Sequence, residues 1–193
     1  MTQPQFDLKQ SIAEASAALT RYQQAVRVAQ EQATRRESGR TLLDLRDRAI
    51  SHWSVGEHLQ HLLAAGRLTF VGIDQILRGK SIHTRQLTGA GRVVLESRQI
   101  PSGAPAPEGV RPSSMLEVDA LVRGFDELRK QLESVESRSR EASLEGPLAQ
   151  PHFALGNLDA ADWLRFTAIH TDHHFDIANR IIEAAGSSEQ LLQ

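Results

Sequence analysis

The sequence predicts an all-α protein, a four-helix bundle with long crossover connections. Four stretches, near 6–32, 54–79, 114–137 and 159–185, repeat apolar residues at helical spacing. The connections 80–112 and 139–157 are long and broken by Pro and Gly, which suits a bundle whose helices are joined by crossovers. At 193 residues the chain has the size of one domain with its own core, so a single domain over 1–193 is expected.

In the first stretch Leu8, Ile12, Leu19, Tyr22, Val26 and Ala29 recur with helical period, and no Gly or Pro interrupts them. The pair Arg35-Arg36 suits a solvated helix end better than a nucleic-acid contact. Ser38-Gly39-Arg40 breaks the pattern, and 41–50 has room for a helical turn or two. Ser54 and Glu57 then have the spacing of a capping box, followed by Leu59, Leu62, Phe70, Ile73 and Leu77 as far as Gly79. On this second helix His61 shares a stripe with Ala65, Leu68 and Gly72, opposite Gln60, Arg67, Asp74 and Arg78, so His61 is expected to face inward.

Residues 80–112 form a long loop in this reading, because the prolines near its end remove donors and restrict their neighbours. Thr88-Gly89-Ala90-Gly91 lacks the lysine and the setting of a phosphate loop and is taken as flexible, and Arg92-Val93-Val94-Leu95 is a short apolar piece that could pair locally. Ser114 and Glu117 repeat the capping-box spacing ahead of Val118, Leu121, Val122, Phe125, Leu128, Leu132 and Val135. Asp159 and Asp162 mark the start of the last helix, Leu158 can staple onto Trp163, and Gly186 is a plausible stop, with 187–193 as a short flexible tail.

That last helix carries His170-Thr171-Asp172-His173-His174. His170 and His174 lie one turn apart, on a face shared with Trp163, Phe166, Thr167, Ile177 and Ile181. Two imidazoles so placed make half of a tetrahedral metal site, and a further ligand must come from elsewhere in the chain. Composition narrows the alternatives. A net charge of −2 with scattered basic residues lacks the footprint of a nucleic-acid binder, and no cysteine is present to form a disulfide, a thiolate nucleophile or a sulfur-ligated metal site. No apolar run approaches a membrane span and the N-terminus lacks a signal pattern, so a soluble, cytoplasmic protein without nucleic-acid or membrane partners is expected.

Trp53-Ser54-Val55 leading to His61-Leu62, followed by a late His-x-x-x-His helix, resembles the DinB-like superfamily of metal-binding four-helix bundles over most of the chain. The run PHFALGNLDAADWLRFTAIHTDHH, residues 151–174, looks like the branch in which an aromatic loop leads into that helix. The resemblance implies that the tryptophan opens the second helix and that His61, His170 and His174 are the ligands of one divalent metal. Zn is favoured, although imidazole suits Ni and Fe as well. It also implies thiol-dependent transferases and isomerases among the relatives, many of them without assigned activity, and frequent dimers.

The neighbours of these histidines admit more than one role. His173 lies about 60° from His170 and either replaces it or flanks the site. His58 is either a packed, hydrogen-bonded residue or a group that supports a ligand or substrate. Glu57 either orients His61 or acts as a base, but the cap on Ser54 is the favoured role. Thr171 stands where a helical zinc protease has its glutamate, which argues against that chemistry. Three histidines leave a coordination position open, so a metal-dependent enzyme is expected. Transfer of a low-molecular-weight thiol to a small-molecule electrophile ranks ahead of hydrolysis, with a non-catalytic metal-binding or interaction bundle as the rival. Loop 80–112 is expected to gate the site. A second apolar row, Leu164, Ala168, Phe175 and Ile182, suggests a homodimer.

Overall fold

A long helix, α1 (Leu8–Arg35), starts where the Asp7 carboxylate accepts the Gln10 N–H at 2.7 Å. Helix α2 (Val55–Leu77) starts at the Ser54 capping box, with Ser54 Oγ accepting the Glu57 N–H and the Glu57 carboxylate accepting the Ser54 N–H. It ends at Arg78, and the turn continues through Gly79 at φ 65°. Helix α4 (Val118–Glu141) runs past the expected end near 137. Helix α5 (Ala160–Ala184) has the anticipated Asp159–Asp162 capping box and leads to Gly186 at φ 68°. The computed structural model describes residues 3–35, 41–101, 103, 105–112, 118–141 and 148–186. The expected break at 38–40, Arg36, the Ser114–Glu117 cap, Gly146-Pro147 and the tail 187–193 lie outside the described residues.

The four long helices pack α1 on α4 and α5, and α2 on α4 and α5. Tyr22 joins all four. Its ring stacks on Phe125 of α4 and meets Phe175 of α5 edge-on, while its hydroxyl donates to the Leu59 carbonyl of α2. Leu42 and Leu43, in a short 3-10 turn (Leu42–Asp44), are buried in the same core.

The chain is helical, as expected, but it is not helices and loops alone. The stretch 80–112 holds β1 (His83–Thr84), β2 (Gln86–Leu87), helix α3 (Gly89–Ser97) and a 3-10 turn (Glu108–Val110). The crossover before α5 holds the hairpin β3 (Leu148–His152) and β4 (Gly156–Leu158). Together they form an antiparallel sheet ordered β1-β3-β4-β2, so the segment 83–87 straddles the hairpin and pairs with both its sides. Pro151 is tolerated because it lies beyond the β3 residues that pair with β1.

Thr88-Gly89-Ala90-Gly91 is therefore a helix start and not a flexible loop: Thr88 Oγ accepts the Gly91 N–H at 2.9 Å. Arg92-Val93-Val94-Leu95 is helical and pairs with no strand; Val94 and Leu95 join Leu87, Leu155, Leu158 and Ile169 in a second apolar cluster between α3, the sheet and α5. Gly91 is required by the close approach, since a Cβ there would stand 2.2 Å from the Leu155 carbonyl oxygen. Arg85, between β1 and β2, fixes the sheet to α5. Its guanidinium donates to both oxygens of the fully buried Asp162 at 2.7 and 2.9 Å and lies 3.0 Å from Asp159.

Two expectations about faces need correction. Leu68, placed on the inward stripe with His61, is exposed, because that stripe drifts out of the core beyond the first turns of α2. The row Leu164, Ala168, Phe175 and Ile182 is buried within this chain, against α1 and its neighbours, so it is not a free face for a homodimer. Any self-association must use another surface.

Candidate metal centre

His61 is in the second turn of α2, and His170 and His174 face it from the middle of α5. His61 Nε2 and His174 Nε2 each lie 3.0 Å from His170 Nε2. Ligand nitrogens about 2.0–2.1 Å from one tetrahedral cation stand roughly 3.3 Å apart, so the three are gathered nearly as a common cation requires. Each offers a ligand atom within 4.8 Å of the others, and no carboxylate joins this group among the described residues.

The outer nitrogens are engaged as well. His61 Nδ1–H donates to the Val110 carbonyl at 2.8 Å, and because a carbonyl only accepts, the lone pair of His61 is left on Nε2, facing the centre. His174 Nδ1 is 2.8 Å from His58 Nδ1, and His58 Nε2 is 3.0 Å from Ser51 Oγ. Trp53, two residues after Ser51, packs its indole against His58, His61 and His174. On the far side Phe166 stacks on His170, and His152 and Trp163 continue the aromatic layer. A small, mainly apolar cavity bordered by Leu62, Gly66, Leu128 and Phe166 reaches His170.

Burial holds every one of these rings toward the neutral form. His170 and His174 are pushed well below their ordinary range, first by desolvation and then by the other histidines around them. Desolvation also lowers His61, opposed in part by the bond to Val110. His58 is lowered to about 4 by burial, with His61 and His173 adding to the effect. Neutral imidazole is the form that binds a metal.

Among the residues singled out from the sequence, His61, His170 and His174 meet at one point. His58 lies behind His174 and not at the centre. His173 flanks the group, its ring 5.2 Å from that of His174, and nearby Asp176 opposes the lowering of its pKa by burial. Glu57 is withdrawn from any role on His61, because its carboxylate serves the Ser54 cap and accepts from Arg46 at 2.7 Å. Ser51, the Val110 carbonyl and His152 were not anticipated. Ser51 lies outside the helix and carries no motif, and a backbone carbonyl leaves no trace in the sequence. His152 stood in the aromatic run before α5 without a role. Its Nδ1 accepts the Ala154 and Leu155 N–H groups at 3.2 and 3.1 Å and so shapes the hairpin turn.

No curated protein and no solved structure matches the chain. The family model described as the DinB superfamily matches residues 15–178, a span that runs from within α1 to within α5 and includes the three convergent histidines. The chain belongs to the DinB superfamily.

Proposed function

We propose that α1, α2, α4 and α5 form a four-helix bundle in which His61, His170 and His174 bind one divalent metal, and that the protein is a metal-dependent enzyme acting on small molecules. The observation that carries this is the meeting of three Nε2 atoms, on rings that burial pushes toward the neutral form, while His61 and His174 are held from behind through Nδ1. A divalent metal there, with Zn favoured over Ni and Fe, supplies a Lewis acid with a position open to a small molecule. The chain's own residues hold the ligand rings and pack Trp53 and Phe166 against them, and a small, mainly apolar cavity reaches His170.

Transfer of a low-molecular-weight thiol to an electrophile ranks ahead of hydrolysis in this reading. Among the described residues no carboxylate joins His61, His170 and His174 to act as a base on water, Glu57 being committed elsewhere. With no cysteine in the chain, the thiol comes from a cosubstrate. Among the described residues no helix is long and apolar enough to cross a membrane. A cytoplasmic location fits this chemistry, since low-molecular-weight thiols stay reduced there. The test is turnover of a panel of electrophiles with and without low-molecular-weight thiols, and of esters and amides. Thiol-dependent turnover that chelation abolishes and metal restores is expected. Turnover indifferent to chelation overturns the metal-dependent reading, and no turnover at all in the metal-loaded protein leaves the non-catalytic metal-binding reading in its place.

A further inference from the structure

Behind His174 lies a chain of polar atoms that the proposed activity does not use. His174 Nδ1 is 2.8 Å from His58 Nδ1, and His58 Nε2 is 3.0 Å from Ser51 Oγ, which also accepts the Trp53 N–H at 3.1 Å. His58 is almost fully buried, its ring edge-on to Trp53, so its hydrogen bonds are made within the protein. Two neutral imidazoles bridged through Nδ1 share one proton, which leaves two arrangements of the chain. In one, His174 Nδ1–H donates to His58 and His58 Nε2–H donates to Ser51 Oγ, leaving the lone pair of His174 on Nε2, toward the centre. In the other, the Ser51 hydroxyl donates to His58 Nε2, His58 Nδ1–H donates to His174, and the proton of His174 sits on Nε2, where it blocks ligation.

We propose that Ser51 and His58 are positioning residues that set the tautomer of His174 and thereby decide whether the three-histidine group is competent to bind a metal. The proposal rests on the metal reading of His61, His170 and His174. Val110 does the same for His61 with a carbonyl, which can only accept and therefore allows one arrangement. Ser51 Oγ both donates and accepts, so the His174 side is the adjustable one. The Trp53 N–H already occupies one lone pair of Ser51 and fixes its oxygen in front of His58. Partners of this kind tune ligand basicity and orientation, and their loss typically weakens metal binding by about 10–100-fold.

The test measures zinc affinity by chelator competition, and the visible spectrum after cobalt substitution, in the parent, His58→Phe, His58→Asn and Ser51→Ala. Phenylalanine fills the space but accepts nothing, whereas the asparagine oxygen can replace Nδ1 as acceptor. Zinc binding weakened about 10–100-fold in His58→Phe, largely recovered in His58→Asn and reduced to a lesser degree in Ser51→Ala is the expected pattern. Histidine nitrogen NMR of the zinc-loaded parent should show the His174 proton on Nδ1 and the His58 proton on Nε2. Thermal melts identify any variant that has lost its fold, and the NMR assignment then decides alone. Parent-like zinc affinity and cobalt spectrum in folded His58→Phe, or the opposite tautomers in the parent, overturn the proposal while the metal reading stands. Failure of the parent to bind zinc or cobalt overturns both.

Discussion

Histidine burial has a price in acid that can be measured residue by residue. In the unfolded chain an imidazole titrates near 6.5, whereas His58 and His152 titrate near 4 in the fold, both lowered first by desolvation. Between those values the unfolded chain binds more protons than the folded one. Stability is therefore complete above about pH 6.5 and falls as pH drops toward 4, by about 2 kcal/mol for each such histidine at pH 5. Urea unfolding of the metal-free protein should show a clearly lower midpoint at pH 5 than at pH 7, and His152→Phe should narrow the gap between them. A parent midpoint that does not move would show that these rings are solvated. His61 was legible at this scale because a helical stripe placed it inward, and the His170–His174 pair because one turn separates them. Ser51 and Val110 were not, since one acts from outside any periodic element and the other through its backbone.

The helices that carry the site were written in local chemistry. Ser54–Glu57 and Asp159–Asp162 form the reciprocal caps that their spacing suggests, because each pair satisfies two free N–H groups within one turn. The sheet was not legible, for strands of two to five residues are too short to establish a period, and their pairing joins segments some 65 residues apart. Helix α3 was hidden by two glycines in its first turn, one of which, Gly91, is there because the hairpin turn comes so close. Gly91→Ala should accordingly cost about 1–3 kcal/mol through overpacking, and a midpoint equal to that of the parent would contradict the contact. Arg85→Met leaves the buried Asp162 carboxylate without its ion partner, so a loss of about 3–5 kcal/mol is expected in denaturant unfolding. A loss below 1 kcal/mol would mean that the sheet is not anchored to α5 in this way.

For the molecule as a whole, the second row of α5 shows the limit of a helix seen alone. Two apolar faces suggested a partner chain, yet α5 meets α1 on one side and α2 on the other, and both faces are used within a single copy. Phe175→Glu should therefore unfold the protein, because the new carboxylate would sit beside Tyr22 with nothing to pair it; a folded monomer recovered from a dimeric parent would reverse this conclusion. The same packing brings α2 and α5 together so that His61 faces His170 and His174. The most direct test of the central claim is the metal content of the purified protein beside that of His170→Ala, after equal exposure to zinc and gel filtration. One divalent ion per chain in the parent and almost none in the folded variant is the predicted result. A parent that retains no metal, or a variant that retains as much as the parent, would contradict it.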